Sequence, residues 1–407
     1  MDFEDTREEA EFRAEVRDWL AEQAVEYDLS QHGDLTMDQQ LALGRAFQAR
    51  KANKGYAKVT WPRELGGMGG TPMQAVIYDQ EEGQYDFPTV FFGISVGMPI
   101  PVMRRFASEQ QQQRYLIPAL RGEEIWCQLF SEPAAGSDLG GIRLRALRDG
   151  DDWVLNGQKI WTSWAHISDY GVIITRTDPS VPKHRGMTYF FVDMKAPGVE
   201  VRPIQQAAGG GEFCEVFFTD VRIPDASRLG EINGGWQVAI ATLMEERFAV
   251  TEASGGGASL EDTVRFLRRE FDDGESGLDD PRVRDKIADW YVAESGINNF
   301  YARLLTGLSQ GQLPGPEAAL SKLVIARKLQ TQSACIMDAC GPAGAIYPDH
   351  PISRTTDSRM AWLEAAGYRI AGGTDEILRN TIAERVLGLP QEPRLDKGIP
   401  FNEVPTG

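Results

Sequence analysis

The chain has 407 residues, 42% hydrophobic and 25% charged, enough to bury a large core and to form two or three packed units of an ordinary globular protein. Forty-two basic residues against 60 acidic ones leave a formal charge of -18, which argues against nucleic acid or an anionic membrane as a partner. Four cysteines, Cys127, Cys214, Cys335 and Cys340, show no metal-ligand spacing, so no metal site is expected and a reducing cytoplasm fits best.

The N-terminus alternates acids and bases and lacks the charged-then-apolar pattern of a signal peptide, so secretion is not expected. From Asp5 to about Gly122 apolar residues fall at helical spacing, and Phe12, Val16, Trp19 and Leu20 mark one stripe of a first helix. Trp61-Pro62 and the cluster Gly66, Gly67, Gly69 and Gly70 predict a loop between helices. The most apolar stretch, Thr89 to Val102, carries Pro99 and Pro101 and falls short of the ~20 residues a membrane helix needs.

Between Trp126 and Pro224 the period changes to two, with β-rich runs at Tyr170 to Thr177, Met187 to Met194 and Cys214 to Val221. The turn dipeptides Asp149-Gly150 and Asn156-Gly157 bracket a short strand and predict at least one hairpin. From Gly235 helical patterns return, notably Pro281 to Leu308 and Glu317 to Asp338, and the last helix is expected to stop at Gly388 before Pro390. Cys335 and Cys340, with apolar neighbours, read as small buried hydrophobes. The expected α+β multidomain order is an N-terminal helical domain (1–125), a middle β-barrel (126–234), a C-terminal helical bundle (235–391) and a tail (392–407), the two helical units packing together.

Three segments carry the functional signal. Phe130 to Asp138 combines Ser131, Gly136 and Ser137 in a turn at the entry to the β unit; such a loop can approach a planar ring, and an ordinary surface turn explains it equally well. Lys159-Ile160-Trp161-Thr162-Ser163 places an aromatic plane and a hydroxyl two residues apart on one strand face, where the alternative is a wall tryptophan beside a satisfied serine. In Ala371 to Ile377, Gly372 and Gly373 permit close backbone approach and the following helix start offers free N–H groups to an anion, although a plain helix start reads the same way.

In this order and spacing the three segments resemble the acyl-CoA dehydrogenase family, and the resemblance runs from about Phe12 to Pro390. It implies FAD as cofactor. Ser131 to Asp138 looks like the family's signature loop, with Phe130, Ser131, Gly136 and Ser137 toward the flavin and Ser137 also toward substrate. Trp161 and Ser163 match the flavin-stacking and N5-side positions, and Phe217 to Pro224 resembles the family's exit from its β domain. Asp338 and Gly341 fall where relatives reach the FAD of a neighbouring subunit, while Thr374 and Glu376 look like flavin-chain contacts and Gly373 lies on the substrate side. Arg268 sits at the adenine-side arginine and Phe271 keeps the family's aromatic, but Asp272 and Asp273 replace the usual glycine and basic residue.

Oxidising a saturated thioester needs a base for the α-proton while the β-hydrogen leaves as hydride. Most relatives carry that base where this chain has Gly372. A minority, resembling isovaleryl- and long-chain enzymes, carry it as a glutamate before an arginine on the first helix of the C-terminal unit, which Glu246-Arg247 matches. On a helix Glu246 aligns with Ala239, Leu243 and Val250, whereas Glu245 neighbours Thr242 and Glu252, so Glu246 is expected to face inward as the base. A desolvated carboxylate there would have a raised pKa suited to the task, the alternative being a structural ion pair. Arg247 would be a structural or substrate-side cation.

Gly372 and the glycines within Ser254 to Ser259 predict room for a bulky or branched acyl group, such as a steroid side chain, unless they merely end the helix. Val96 and Met98 match the far end of the acyl pocket in relatives. The resemblance implies an acyl-CoA substrate, an electron-transfer flavoprotein as acceptor, and a homotetramer or homodimer. Two alternatives stand beside this reading: a flavin oxidase or N-hydroxylase of the same fold, and a subunit of a mixed tetramer.

Overall fold

A computed structural model describes residues 5–253, 259–268, 276–309, 315–342, 356–394 and 396–404, with the side chains of 246–253, 308–309 and 356–358 outside the description. The chain divides into two compact units, one of residues 4–246 with the tail 392–407, the other essentially 247–391.

The larger unit opens with six helices: α1 (Arg7–Tyr27), α2 (Met37–Asn53), α3 (Pro72–Glu82), α4 (Val90–Gly97), α5 (Pro99–Phe106) and α6 (Glu109–Leu120). Their starts are written in the sequence. Thr6 with Glu9, Thr36 with Gln39, Thr71 with Gln74 and Ser108 with Gln111 each form a reciprocal capping box, which satisfies two otherwise unpaired groups per helix. The expected stripe of α1 is buried as Phe12, Val16, Trp19 and Leu20, against Phe47 and Tyr56. Between α1 and α3, Glu81 is nearly enclosed and accepts from Arg13 and Arg17, which clamps the first helix to the third. In the loop before α3, a side chain at Gly67 would strike the Trp61 carbonyl oxygen at 2.1 Å, so only glycine lets the chain close there.

The helices are followed by a curled seven-stranded sheet with order β1-β4-β2-β3-β7-β6, and β5 pairing with β4 off this path. The strands are β1 (Trp126–Leu129), β2 (Arg145–Asp149), β3 (Asp152–Ser163), β4 (Tyr170–Arg176), β5 (Met187–Asp193), β6 (Val199–Pro203) and β7 (Phe213–Pro224). The predicted hairpin joins β2 to β3 through Gly150, at φ 65. Asn156-Gly157 is not a turn: it lies inside β3, where the register against β7 shifts, and Gly157 at φ 146 leaves its Cβ position against Leu144. One core joins the helices to one face of the sheet, packing Trp61, Ile100, Met103 and Leu116 against Trp126, Ile174 and Tyr189; a second, with Leu155, Ile173 and Phe190, fills the sheet itself.

Helix α7 (Gly235–Ala253) leaves the sheet and crosses the division between the units. In the smaller unit α8 (Leu260–Leu267), α9 (Pro281–Ser309), α10 (Ala319–Ala339), α11 (Thr356–Tyr368) and α12 (Asp375–Arg385) form a helical array. Trp290 on α9 donates to Thr331 on α10 at 2.9 Å, and Cys335 is buried while Cys340 is half-buried. The last helix stops at Arg385, three residues before the expected Gly388, which sits at φ 68 beyond it. Among the described residues no helix is long and apolar enough to cross a membrane.

Candidate functional site

In the larger unit the structure brings two of the three segments together. Strand β1 ends at Leu129 and runs into the loop of Phe130 to Asp138, and the Ile160 N–H donates to the Ser131 carbonyl at 2.9 Å. Lys159 tightens this seam: with no exposed side-chain surface, it donates to the Phe130 carbonyl at 3.0 Å and to Glu132 at 2.8 Å. The Glu132 carboxylate also accepts the Arg143 N–H at 2.6 Å and the Leu144 N–H at 3.0 Å. Burial pushes the Lys159 ammonium below its usual pKa, and the charge of Glu132 opposes that. A buried charge held this way fixes the loop's first turn. Sequence reading passed over the pair, because the two residues are far apart in sequence and only the β1–loop–β3 arrangement makes them neighbours; a lone lysine in a buried strand phase was the available signal.

Trp161 is not a regular strand residue. It stands at φ 59 in a register shift between Lys159 and Thr162, is 57% exposed, and meets Phe213 edge-on at 6.2 Å. The bulge turns the large ring outward, contrary to a packed wall position, while Ser163 is half-buried opposite Phe213. Phe130 is buried edge-on to Tyr189, Ser131 is half-buried, and Gly136 and Ser137 are exposed. A Cβ added at Gly136 would meet nothing within 4 Å, so no packing inside the protein demands glycine there. An outward aromatic face, a nearby half-buried hydroxyl and an open glycine loop fit a planar cofactor such as the isoalloxazine of FAD. Beside the seam, α7 is rooted on β5: Tyr189 and Thr242 share a buried hydroxyl hydrogen bond at 3.0 Å, and Thr242 donates to the Val238 carbonyl.

This corrects one step of the sequence reading. Thr242 does not mark a polar face shared with Glu245; it is fully buried together with Val238 and Ala239. Position 246 follows Thr242 by four residues and Ala239 by seven along the helix, so the inward row still leads to it. The side chains of Glu246 and Arg247 themselves lie outside the described residues.

The smaller unit holds the remaining positions. Gly372 and Gly373 stand at φ 63 and φ 98, and Lys322 donates to the carbonyls of Ala371 and Gly373, pinning the turn. Arg369 fixes the start of α12, pairing with the buried Asp375 at 2.7 Å and reaching Gln330 at 2.9 Å. Thr374 caps α12 by accepting the Ile377 N–H at 3.3 Å, and the exposed Glu376 is held below its usual pKa by its own backbone N–H and the Thr374 hydroxyl. Lys322 was missed because its partners are backbone carbonyls, and Arg369 because its side-chain partners Asp375 and Gln330 meet it only through the turn and the packing of the helices. Arg268 is exposed at the C-terminal end of α8, Asp338 is exposed near the end of α10, and Gly341 is exposed at φ 54. Phe271, Asp272, Asp273 and the glycines at 255–257 lie outside the described residues.

A helical layer on a curled sheet that turns a tryptophan outward beside a hydroxyl-bearing loop, followed by a second helical unit, fits an oxidoreductase that holds FAD. Three family profiles divide almost the whole chain between them: the N-terminal, middle and C-terminal domains of acyl-CoA dehydrogenase, at residues 6–123, 127–221 and 233–387. The chain belongs to the acyl-CoA dehydrogenase family. It is 35% identical to the acyl-CoA dehydrogenase IpdE1 of Mycobacterium tuberculosis over 390 residues, 94% of this chain and 98% of that one. Among solved structures it is similar to the Tcur3481-Tcur3483 steroid ACAD, with a TM-score of 0.78 and 27% identity over 96% of this chain and 100% of that one. It is also similar to the ChsE4-ChsE5 complex from Mycobacterium tuberculosis, with a TM-score of 0.77 and 26% identity over 96% of this chain and 100% of that one.

Proposed function

We propose that this enzyme removes the α- and β-hydrogens of a bulky acyl-CoA thioester, with Glu246 as the base and a polycyclic, steroid-like acid as the acyl group. The observation that carries the substrate class is the likeness along nearly the whole chain to a steroid ACAD, joined to a glycine at position 372. Bound FAD supplies the two-electron acceptor for the β-hydrogen. The protein's own part is to orient the thioester and take one proton. The Ser131–Ser137 loop and the outward Trp161 would hold the flavin, with Ser163 at its edge; Arg268, Asp338, Gly341, Thr374 and Glu376 are assigned to the remainder of the cofactor. Ser137, Arg247 and Gly373 are assigned to the substrate. Glu246, which helix periodicity puts on the row continuing from Ala239 and Thr242, takes the α-proton. An electron-transfer flavoprotein is the proposed acceptor, and the cytoplasm the proposed site of action.

A second reading concerns assembly, because both solved neighbours are named as pairs of chains. This chain would then act as one subunit of a mixed oligomer in place of a homotetramer or homodimer. The test mixes the FAD-loaded chain anaerobically with a panel of straight-chain, branched and steroid-derived acyl-CoA thioesters. Bleaching of the flavin by the bulky thioesters ahead of the straight-chain ones is the expected result. Bleaching by short straight chains alone refutes the substrate class, and peroxide release in air marks an oxidase. Light-scattering mass and FAD content of the isolated chain decide the assembly.

A further inference from the structure

The C-terminal tail returns from the last helix to the larger unit and binds beside the Ser131–Asp138 loop. Its Phe401 N–H donates to the Val181 carbonyl at 2.9 Å and its Asn402 N–H to the Pro179 carbonyl at 3.0 Å, while Pro400 bridges to Pro182. These contacts fix the tail on the connection between β4 and β5. Two chains of interaction run from there to the far end of the loop. In the first, the tail's Asp396 pairs with Lys183, which donates to both oxygens of Asp138 at 2.9 Å. In the second, the Phe401 ring lies under the Arg176 guanidinium at 3.9 Å, and Arg176 donates to the Gly140 carbonyl at 2.7 Å and to the Ile142 and Lys183 carbonyls. Arg143, whose N–H is bound by Glu132 at the loop's beginning, also faces the Phe401 ring at 5.5 Å.

We infer that the tail is a positioning element for the cofactor loop, acting through its own Phe401 and through Lys183 of the β4–β5 connection as positioning residues. The loop's start is fixed internally by the buried Glu132–Lys159 pair, but Asp138 at its end is 60% exposed and depends on a cation that the tail shares. Lys183 itself is 11% exposed, so the bridge is sheltered from solvent on the lysine side, where charge interactions are less screened. Phe401 covers the guanidinium that holds the Gly140 and Ile142 carbonyls just beyond Asp138, together with the Lys183 carbonyl. A loop anchored at both ends presents Gly136 and Ser137 in one arrangement, whereas a loop anchored at one end must be ordered by the ligand, at a cost in affinity.

The inference rests on Ser131–Asp138 being the flavin loop, and the test separates the two. The full-length variants Phe401→Ala, Lys183→Met, Lys183→Arg and Gly136→Val are titrated with FAD by flavin fluorescence, with visible circular dichroism of the bound flavin and thermal unfolding measured alongside. Phe401→Ala and Lys183→Met are expected to weaken FAD binding roughly five- to tenfold and to alter the flavin dichroism, with Lys183→Arg close to wild type. Gly136→Val, at a position open to added volume, weakens binding more. If Gly136→Val weakens binding while the two tail-linked variants bind FAD normally, the positioning role is overturned and the flavin loop stands. If Gly136→Val also binds normally, the loop assignment fails and the inference fails with it. Weakened binding only in proportion to a lowered unfolding temperature, with unchanged flavin dichroism, also overturns it.

Discussion

Replacing Glu132 with Gln should destabilise the sheet unit in a way that depends on pH. The amide keeps one acceptor oxygen where the carboxylate used both, so its NH2 group opposes either the Arg143 or the Leu144 N–H, and the Lys159 ammonium, with no exposed side-chain surface, is left with neutral acceptors and no counter-charge. Removing one partner of a buried pair costs about 3–5 kcal/mol. The lysine can limit that cost by giving up its proton, which from an unfolded value near 10.4 amounts to about 4–5 kcal/mol at pH 7 and about 2 kcal/mol at pH 9. Burial already depresses this group in the native protein, and losing Glu132 depresses it further. The unfolded chain then holds the proton where the folded chain does not, so the variant gains stability relative to wild type as pH rises from 7 toward the unfolded value. Urea unfolding of both proteins at saturating FAD, followed by tryptophan fluorescence, should show a deficit of about 4 kcal/mol at pH 7 that shrinks to about 2 kcal/mol at pH 9. A deficit below about 1 kcal/mol at pH 7, or one that does not shrink, refutes the buried-pair account.

Glu81→Gln removes a carboxylate that Arg17 and Arg13 hold below its ordinary pKa. Its contribution is present at neutral pH and lost as pH falls through the lowered native value, so a deficit of about 1–3 kcal/mol at pH 7 should vanish in acid urea titrations. Gly235→Ala puts a Cβ 2.7 Å from the Thr188 carbonyl carbon, a backbone atom that cannot rotate away. It should cost about 1–3 kcal/mol in thermal unfolding and lower kcat by shifting α7, and unchanged turnover would show that α7 does not carry the base. Tyr189→Phe deletes the bond to Thr242, leaves Thr242 bonded to Val238, and should lower stability by about 1 kcal/mol in the same unfolding assay.

How far the sequence could be read follows from the range of the forces involved. The helix starts are local: Thr6, Thr36, Thr71 and Ser108 carry their capping partners three residues on, and the stripe of Phe12, Val16, Trp19 and Leu20 is simple periodicity. The β runs were legible for the same reason, and the Asp149-Gly150 hairpin formed as expected. Asn156-Gly157 misled because the same dipeptide serves a bulge as readily as a turn, and only pairing with β7 decides between them. Thr242 misled because a hydroxyl on a helix counts as polar until a partner such as Tyr189 removes it from water. The clamps around the site, Glu132 with Lys159 and Lys183 with Asp138 and Asp396, join groups distant in sequence, and Arg369 with Asp375 spans a glycine turn at no helical or strand spacing, so none has a local signature.

The central claim is tested most directly by Glu246→Gln, a change close to isosteric that removes the proton acceptor. The purified variant is loaded with FAD, its cofactor content is measured, and it is mixed anaerobically with the thioester that bleaches the wild-type flavin fastest. Full FAD occupancy, retained thioester binding and a bleaching rate lowered by roughly a thousandfold or more are predicted for a general base. Bleaching at the wild-type rate would contradict the account and move the base to another residue.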